Sequence, residues 1–190
     1  MIESLEFPHN YGVDVAREAP ADGKNLFYIP PRGRVYSAML RIHASEFIWT
    51  AIFAGFENRL SGFWSMPSPD HLFVCCEGQG YVVNVIDPAD WREAVCHPLQ
   101  QVITDLKRGI LVVADFDRLA AYDNAGVRWR TGQLSLDGIK IVGTDHAGVR
   151  VSIYSPPKDS WSDVLLSAET GCVIEGTIPD KELFGDSNCD

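Results

Sequence analysis

The 190-residue sequence lacks long apolar runs, and it lacks the basic and then hydrophobic N-terminus of an exported protein. Its apolar stretches are far shorter than the roughly 20 residues that a transmembrane helix needs. The first residues, MIESLEFPHNYGVDVAREAP, do not have the regions of a secretory signal. These absences predict a soluble cytoplasmic protein without membrane contact.

Cysteine is scarce and irregularly placed, at Cys75, Cys76, Cys96, Cys172 and Cys189. An odd count without regular spacing is not the pattern of a disulfide-stapled domain. Cys75 and Cys76 are neighbours on a predicted strand, so their side chains face opposite ways and cannot readily share one metal. We expect the cysteines to act as small buried hydrophobic side chains, and we expect neither a metal nor a cofactor.

Common catalytic motifs are also missing, since no GxxxxGK, GxGxxG, HExxH or GxSxG pattern occurs. The remaining candidates are Asp115 and Asp117, which could act with His146 in a small hydrolase. Aspartates at a turn more often cap its backbone N–H groups. The sequence therefore favours a non-enzymatic binding module over an enzyme.

Positive charge is in short supply, and the formal net charge is -10. Residues 159–190 hold eight acidic residues against Lys181 alone, and so carry -7 of that total. A surface that neutralises phosphates is not expected on such a chain, which argues against nucleic-acid binding. A basic protein is the partner that this charge would attract.

What the sequence has in abundance is short strands. The stretch Gly109–Gly132 contains a continuous apolar run, Ile110–Ala114, of the kind found in strands buried on both faces. A turn signal at Asp123–Gly126 follows a second short strand. Val127 and Trp129 then alternate with arginines, as in a half-buried strand.

Similar runs, separated by Gly, Pro, Asn and Asp, occupy most of the chain. They predict an all-β protein of about a dozen short antiparallel strands, with Phe47–Phe53 as a central buried strand. We expect a single domain over residues 1–178, in which residues 1–24 are weakly patterned and contain at most one short strand or helix. Residues 179–190 are expected to form a frayed, acidic C-terminal tail.

An internal repeat relates these strands. Residues 72–92 align with residues 110–130 at an offset of 38, which places Glu77 on Asp115 and superimposes the two Trp-Arg pairs. Residues 165–174 resemble residues 120–129 as a third partial copy. A period near 40 with several strands per unit is typical of propeller blades.

From Trp64 to Glu175 the chain resembles propeller blades of the quinoprotein or WD type, and its pattern LLV-ADF…L-AYD…G-WR resembles a bacterial family of small uncharacterised proteins. The Gly-His and Trp-Asp signatures of WD repeats are absent, and quinoprotein ligands cannot be placed. The resemblance therefore implies blade-like repeats and no particular activity. Closed propellers need at least four blades, so we expect an open partial propeller or curled, stacked sheets.

The partner prediction rests on charge and on one aromatic residue. Trp161 is predicted to lie in a polar loop, SPPKDSWSD, and is the best candidate for an exposed recognition side chain. Around it we expect an acidic rim formed by Asp163, Asp180, Glu182 and Asp186. Such a surface would suit an inhibitor or immunity-type protein that binds a basic partner. The alternative is a structural protein that forms a homodimer through open strand edges.

Overall fold

The computed structural model describes residues 1–31, 35–45, 47–56 and 60–184. Its contacts divide the chain into two compact units, Met1–His97 and Pro98–Asp190, and each unit contains a cluster of buried hydrophobic residues. Among the described residues there are seventeen strands and two 3-10 turns, and no α-helix. This confirms the all-β prediction. The prediction of one domain over residues 1–178 stays a prediction.

The first unit contains two open sheets. One has the strand order β1-β6-β7-β8-β9, in which β6 to β9 form an antiparallel meander and β1 pairs in parallel with β6. The other has the order β2-β4-β5-β3, with β3 parallel to β5. The strands are β1 (Ile2–Ser4), β2 (Gly12–Val15), β3 (Leu26–Ile29), β4 (Tyr36–His43), β5 (Ile48–Ala54), β6 (Gly62–Ser65), β7 (His71–Cys76), β8 (Gln79–Asn84) and β9 (Trp91–Glu93).

A shared core joins the two sheets of this unit. Alternate residues of β4 and β5 pack with alternate residues of β7 and β8 in one buried cluster. Trp49 is 1% exposed, and its indole N–H donates a hydrogen bond of 3.0 Å to the carbonyl oxygen of Val85. The prediction of a central buried strand is confirmed, because β5 lies between β3 and β4.

The second unit contains two four-stranded antiparallel meanders, with the orders β10-β11-β12-β13 and β14-β15-β16-β17. Their strands are β10 (Gln101–Asp105), β11 (Ile110–Ala114), β12 (Leu119–Asp123), β13 (Gly126–Arg130), β14 (Ile139–Asp145), β15 (Gly148–Ser155), β16 (Ser160–Leu166) and β17 (Val173–Glu175). Every residue of β11 is buried, as the continuous apolar run predicts. The segments aligned by the repeat fall on β7 to β9 and on β11 to β13; that they are propeller blades stays a prediction.

Alternation creates the core of the second unit. Val149, Val151 and Ile153 of β15 are fully buried and pack against residues of β11 and β12 in one cluster. Trp129, on β13, donates its indole N–H to the carbonyl oxygen of Ala168 at 2.8 Å. Trp129 therefore packs between the two sheets of this unit.

A polar network ties two hairpin turns of the second unit together. Asp105 is 5% exposed and accepts a hydrogen bond of 2.8 Å from the Arg108 side chain. Arg108 also donates to the backbone oxygen of Asp145, whose carboxylate pairs with Arg150 at 3.0 Å. Burial acts to raise the pKa of Asp105, but hydrogen bonds from Arg108 and Thr144 outweigh it and lower that pKa.

Three sequence predictions need correction. The weakly patterned segment 1–24 contains two strands, β1 and β2, rather than at most one element. Cys75, Cys76 and Cys96 are buried free thiols, as expected, whereas Cys172 is disulfide-bonded; Cys189 lies outside the described residues. The start of the acidic tail is ordered, because Ile178 and Asp180 are buried and a 3-10 turn follows at Lys181–Leu183.

Among the described residues, no helix is long and apolar enough to cross a membrane.

Candidate functional site

Trp161 lies on β16 and not in a loop, which corrects the sequence prediction. The 3-10 turn Pro156–Lys158 and a left-handed Asp159 close a tight hairpin, so that β16 already begins at Ser160. Trp161 pairs across this hairpin with Tyr154, and the two ring centroids are 5.2 Å apart. The ammonium of Lys140 lies 4.0 Å from the indole centroid. The ring is held in place by these contacts and is still 44% exposed.

Gly138 connects the segments of two further exposed apolar residues, Phe116 and Leu136, with the surroundings of Trp161. Its N–H donates to the carbonyl oxygen of Phe116 at 3.0 Å. A Cβ atom at Gly138 would lie 3.5 Å from the Trp161 ring, an ordinary van der Waals distance, so this part of the backbone lies near that ring. Phe116 and Leu136 are 45% and 43% exposed. We call Phe116, Leu136, Tyr154 and Trp161 the apolar patch.

Hydrogen bonds from Leu134 and Ser135 hold the loop that carries Leu136. Ser135 is 1% exposed, and its hydroxyl donates to the carbonyl oxygen of Tyr154 at 3.0 Å. The N–H of Leu134 donates to the carbonyl oxygen of Asp117 at 2.8 Å. The patch is therefore assembled on paired strands and a hydrogen-bonded loop, which limits the entropy lost when a partner binds.

Carboxylates surround the apolar patch. Asp159 accepts a hydrogen bond of 2.7 Å from the Tyr154 hydroxyl. This bond raises the pKa of Tyr154, and desolvation and the negative charges of Asp159 and Asp137 add to the rise. Asp163 follows on the same strand as Trp161, where it pairs with Ser152, which in turn pairs with Lys140. The rim thus contains three acidic residues, Asp137, Asp159 and Asp163, near Lys140 and near Lys158, which pairs with Asp180.

The predicted tail residues have different positions. Asp180 is 5% exposed and forms an ion pair with Lys158 at 3.4 Å, so its carboxylate does not contribute an exposed contact. Glu182 is exposed on the 3-10 turn that follows. Asp186 lies outside the described residues. Of the predicted rim, Asp163 is the residue that the structure places on the strand of Trp161.

The candidate hydrolase residues do not converge. Asp115 accepts hydrogen bonds from the backbone N–H groups of Asp117 and Arg118 at 2.9 and 2.7 Å, which makes it a turn cap. Burial raises the pKa of Asp117, and the adjacent Asp115 carboxyl adds to the rise. This turn follows one end of β11. Arg108 precedes the other end of β11 and donates a hydrogen bond to the backbone oxygen of Asp145, next to His146. The two ends of β11 are roughly 13 Å apart along the strand.

Sequence reasoning missed Phe116 and Leu136 as surface residues. Phe116 lies between Asp115 and Asp117 at a turn, and Leu136 lies between Ser135 and Asp137 in a loop. The signal that could have indicated them is an isolated large apolar residue inside a turn-forming segment, where packing into a core is not expected. Within the described ranges, no group of three or more His, Cys, Asp or Glu side chains is arranged to hold a metal ion.

Comparison with known protein-family models and with curated proteins found no match to this chain.

Proposed function

We propose that this protein is a non-enzymatic binding module for a protein partner that presents basic side chains around an apolar anchor. The observation that carries the proposal is the exposure of Trp161, which is 44%, on a ring already fixed by Tyr154 and Lys140. Rigid exposed tryptophan is typical of residues that dominate binding energy at protein interfaces. Phe116 and Leu136 are exposed apolar residues on segments that Gly138 links to Trp161, and the proposed contact surface includes them.

The negative charge near the apolar patch favours a basic partner. Asp137, Asp159 and Asp163 place three carboxylates near the patch, whereas Lys140 lies over Trp161 and Lys158 is paired with Asp180, and the whole chain has a net charge of -10. A basic partner would be attracted over long range and would associate faster for that reason. An inhibitor or immunity-type role towards a basic toxin is the narrower form of this proposal.

The separation of Asp115 and Asp117 from His146 supports the binding role over the hydrolase alternative. A hydrolase would need its nucleophile or base within hydrogen-bond reach of a common substrate. Here the two groups lie beyond opposite ends of β11.

Cytoplasmic location belongs to the proposal as well. The free thiols of Cys75, Cys76 and Cys96 support it, because buried free cysteines persist in reducing compartments. The disulfide bond of Cys172 is instead typical of an oxidising compartment. Counting the thiols of protein isolated rapidly under alkylating conditions would distinguish the two.

The proposal is tested by affinity capture from the source cell at low salt, with elution at high salt. The wild-type protein and V127A should both capture the same basic protein, whereas W161A and F116A should lose it. Val127 is a matched control, because it is 45% exposed and lies near the far turn of the β12–β13 hairpin. If W161A and F116A retain the captured protein, the apolar patch is not its docking surface and the proposal fails.

Self-association is the second candidate, and one observation favours it. All three residues of the edge strand β17 are exposed, including Val173 at 36% and Ile174 at 54%. An exposed apolar edge strand can pair with the same strand of a second copy. In that case the capture experiment would return the protein itself, in amounts that do not depend on salt.

A further inference from the structure

The first unit contains a cavity of about 690 Å³ that is separate from the apolar patch. Five of its lining residues are Gly55 and Phe56 after β5, Glu77 between β7 and β8, Glu93 on β9, and His97. Its volume falls within the range of small-molecule sites. None of these residues was singled out as a binding residue from the sequence, although Glu77 aligns with Asp115 in the internal repeat.

Glu77 has an unusual backbone conformation for its residue type. Glu77 and Gly78 form the two-residue turn between β7 and β8, with φ angles of 48° and 84°. Both positions of such a turn are left-handed and favour Asn, Asp or Gly, because longer side chains are disfavoured there. A glutamate at the first position therefore has a conformational strain of the kind that is common at functional sites.

The carboxylate of Glu77 is positioned by its neighbours. Its backbone N–H donates to the Ser61 hydroxyl at 2.9 Å, and its carbonyl oxygen accepts from the N–H of Phe56 at 3.2 Å. A Cβ atom at Gly55 would collide with the Glu77 carboxylate and would lie 2.6 Å from the Ser37 hydroxyl. The absence of a side chain at Gly55 is thus what leaves room for the carboxylate at the cavity wall.

An aromatic pair forms another part of the wall. The rings of Phe56 and His97 are 4.6 Å apart and meet edge to face at 66°. Phe56 is 52% exposed, so a face or edge of its ring is accessible to a ligand. A carboxylate next to an exposed aromatic ring is the combination that binds organic cations, through a charge-assisted hydrogen bond and a cation–π contact.

We propose that this cavity binds the guanidinium or ammonium group of a cationic ligand, with Glu77 as the charged anchor and Phe56 as the aromatic contact. Both a free small molecule and an arginine or lysine side chain of a protein can carry such a cation, and the chemistry of recognition is the same for both. The site lies entirely in the first unit and does not depend on the proposed role of Trp161 in the second.

Isothermal titration calorimetry on the full chain tests the proposal with paired probes. Butylguanidine carries the cation, and butylurea is its neutral analogue of the same shape. We expect butylguanidine to bind at least about tenfold more tightly than butylurea, because a hydrogen bond to a charged group is worth about one factor of ten or more. A blocked Gly-Arg-Gly peptide forms the second arm. Tighter binding of the peptide would indicate a protein ligand, and tighter binding of butylguanidine a small molecule.

Substitutions of Glu77 and Phe56 test whether these residues bind the cation. E77Q keeps the size of the side chain and removes its charge, and should weaken butylguanidine binding about tenfold. E18Q makes the same charge change at an exposed residue of the same unit and should not alter binding. F56A changes a half-exposed ring and provides a second test should E77Q fold poorly. The proposal is overturned if butylguanidine and butylurea bind equally, if neither probe nor the peptide binds, or if E77Q and F56A bind like the wild-type protein.

Discussion

Two buried tryptophans show how single residues fix the packing of sheets. Trp49 donates its indole N–H to Val85, just after β8, and Trp129 donates to Ala168, just after β16. In each unit the tryptophan belongs to one sheet and the acceptor follows a strand of the other. A large apolar ring fills the space between the sheets, and its single donor satisfies a carbonyl oxygen that would otherwise lack a partner.

Replacing Trp129 by Phe should therefore destabilise the protein. W129F keeps an aromatic ring but leaves the Ala168 carbonyl without its donor, at a cost of about 1–3 kcal/mol in the free energy of unfolding. W161F is the matched control, because Trp161 is 44% exposed and its indole N–H has no such role in the core. We expect W161F to change stability by less than about 0.5 kcal/mol. Urea denaturation measures both, and equal effects would contradict this account.

Asp105 makes stability depend on pH in a defined direction. Hydrogen bonds from Arg108 and Thr144 lower the pKa of Asp105 in the folded protein, despite burial. Its ionised form is thus favoured by folding, so its contribution is present above the ordinary pKa of about 4 and is lost as pH falls below it.

D105N should accordingly be less stable than the wild-type protein at pH 7, and the difference should shrink on acidification below about pH 4. D163N makes the same change at an exposed residue of the same unit and should follow the wild-type profile. Thermal unfolding at a series of pH values gives both curves. A D105N deficit that stays constant down to the lowest pH would show that the carboxylate charge is not the stabilising feature.

At the scale of elements, turns and hairpins explain which positions tolerate change. Gly171 precedes β17 with a φ of 72°, and a Cβ atom there would lie 2.7 Å from the Trp129 ring. Gly109 precedes β11 with a φ of 64°, and a Cβ atom there would have no neighbouring atom within 4 Å. The two glycines share the left-handed conformation and differ in the closeness of a neighbour.

This pair separates backbone strain from steric overlap. G109A should lower the free energy of unfolding by about 1–2 kcal/mol, because alanine is disfavoured in the left-handed conformation. G171A should cost about 1–3 kcal/mol more, because the Trp129 ring has to move within a packed core. Chemical denaturation of the two variants measures the difference directly. If G171A is no worse than G109A, the β16–β17 turn is not tightly packed against Trp129.

Most strands were predictable because their signal is local. Ile110–Ala114 and Phe47–Phe53 are apolar runs between turn-forming residues, and both contain buried strands. The position of Trp161 was not predictable in the same way. The prolines suggested a long loop, whereas Pro156–Lys158 and Asp159 form a tight turn and the strand begins at once.

The apolar patch could be predicted only in part. Trp161 is visible in the sequence as an aromatic residue in a polar segment. Phe116 and Leu136 join it through contacts of Gly138 with the backbone of Phe116 and the ring of Trp161. Those contacts connect positions tens of residues apart, so no local pattern contains them. Burial of Asp180 is equally non-local, since it depends on the packing of the segment that follows β17.

For the molecule as a whole, net charge is the property that bears most on function. At -10 the chain repels a second copy of itself and attracts basic proteins. The two candidates in the proposed function therefore differ in their response to salt. Repulsion between copies acts over the Debye length, about 30 Å at 0.01 M and about 8 Å at physiological ionic strength. Pairing of strand edges acts at contact distance and is little affected.

We expect the purified protein to be a monomer at about 10 mM salt, where repulsion between copies is strongest. Sedimentation velocity at about 10 mM and about 300 mM salt measures this, with the variant I174K as the control, since it places a charge on the exposed edge strand β17. A dimer that is present at both salt concentrations in the wild-type protein and absent in I174K would favour self-association through β17. In that case the exposed patch around Trp161 would have to be tested on the dimer.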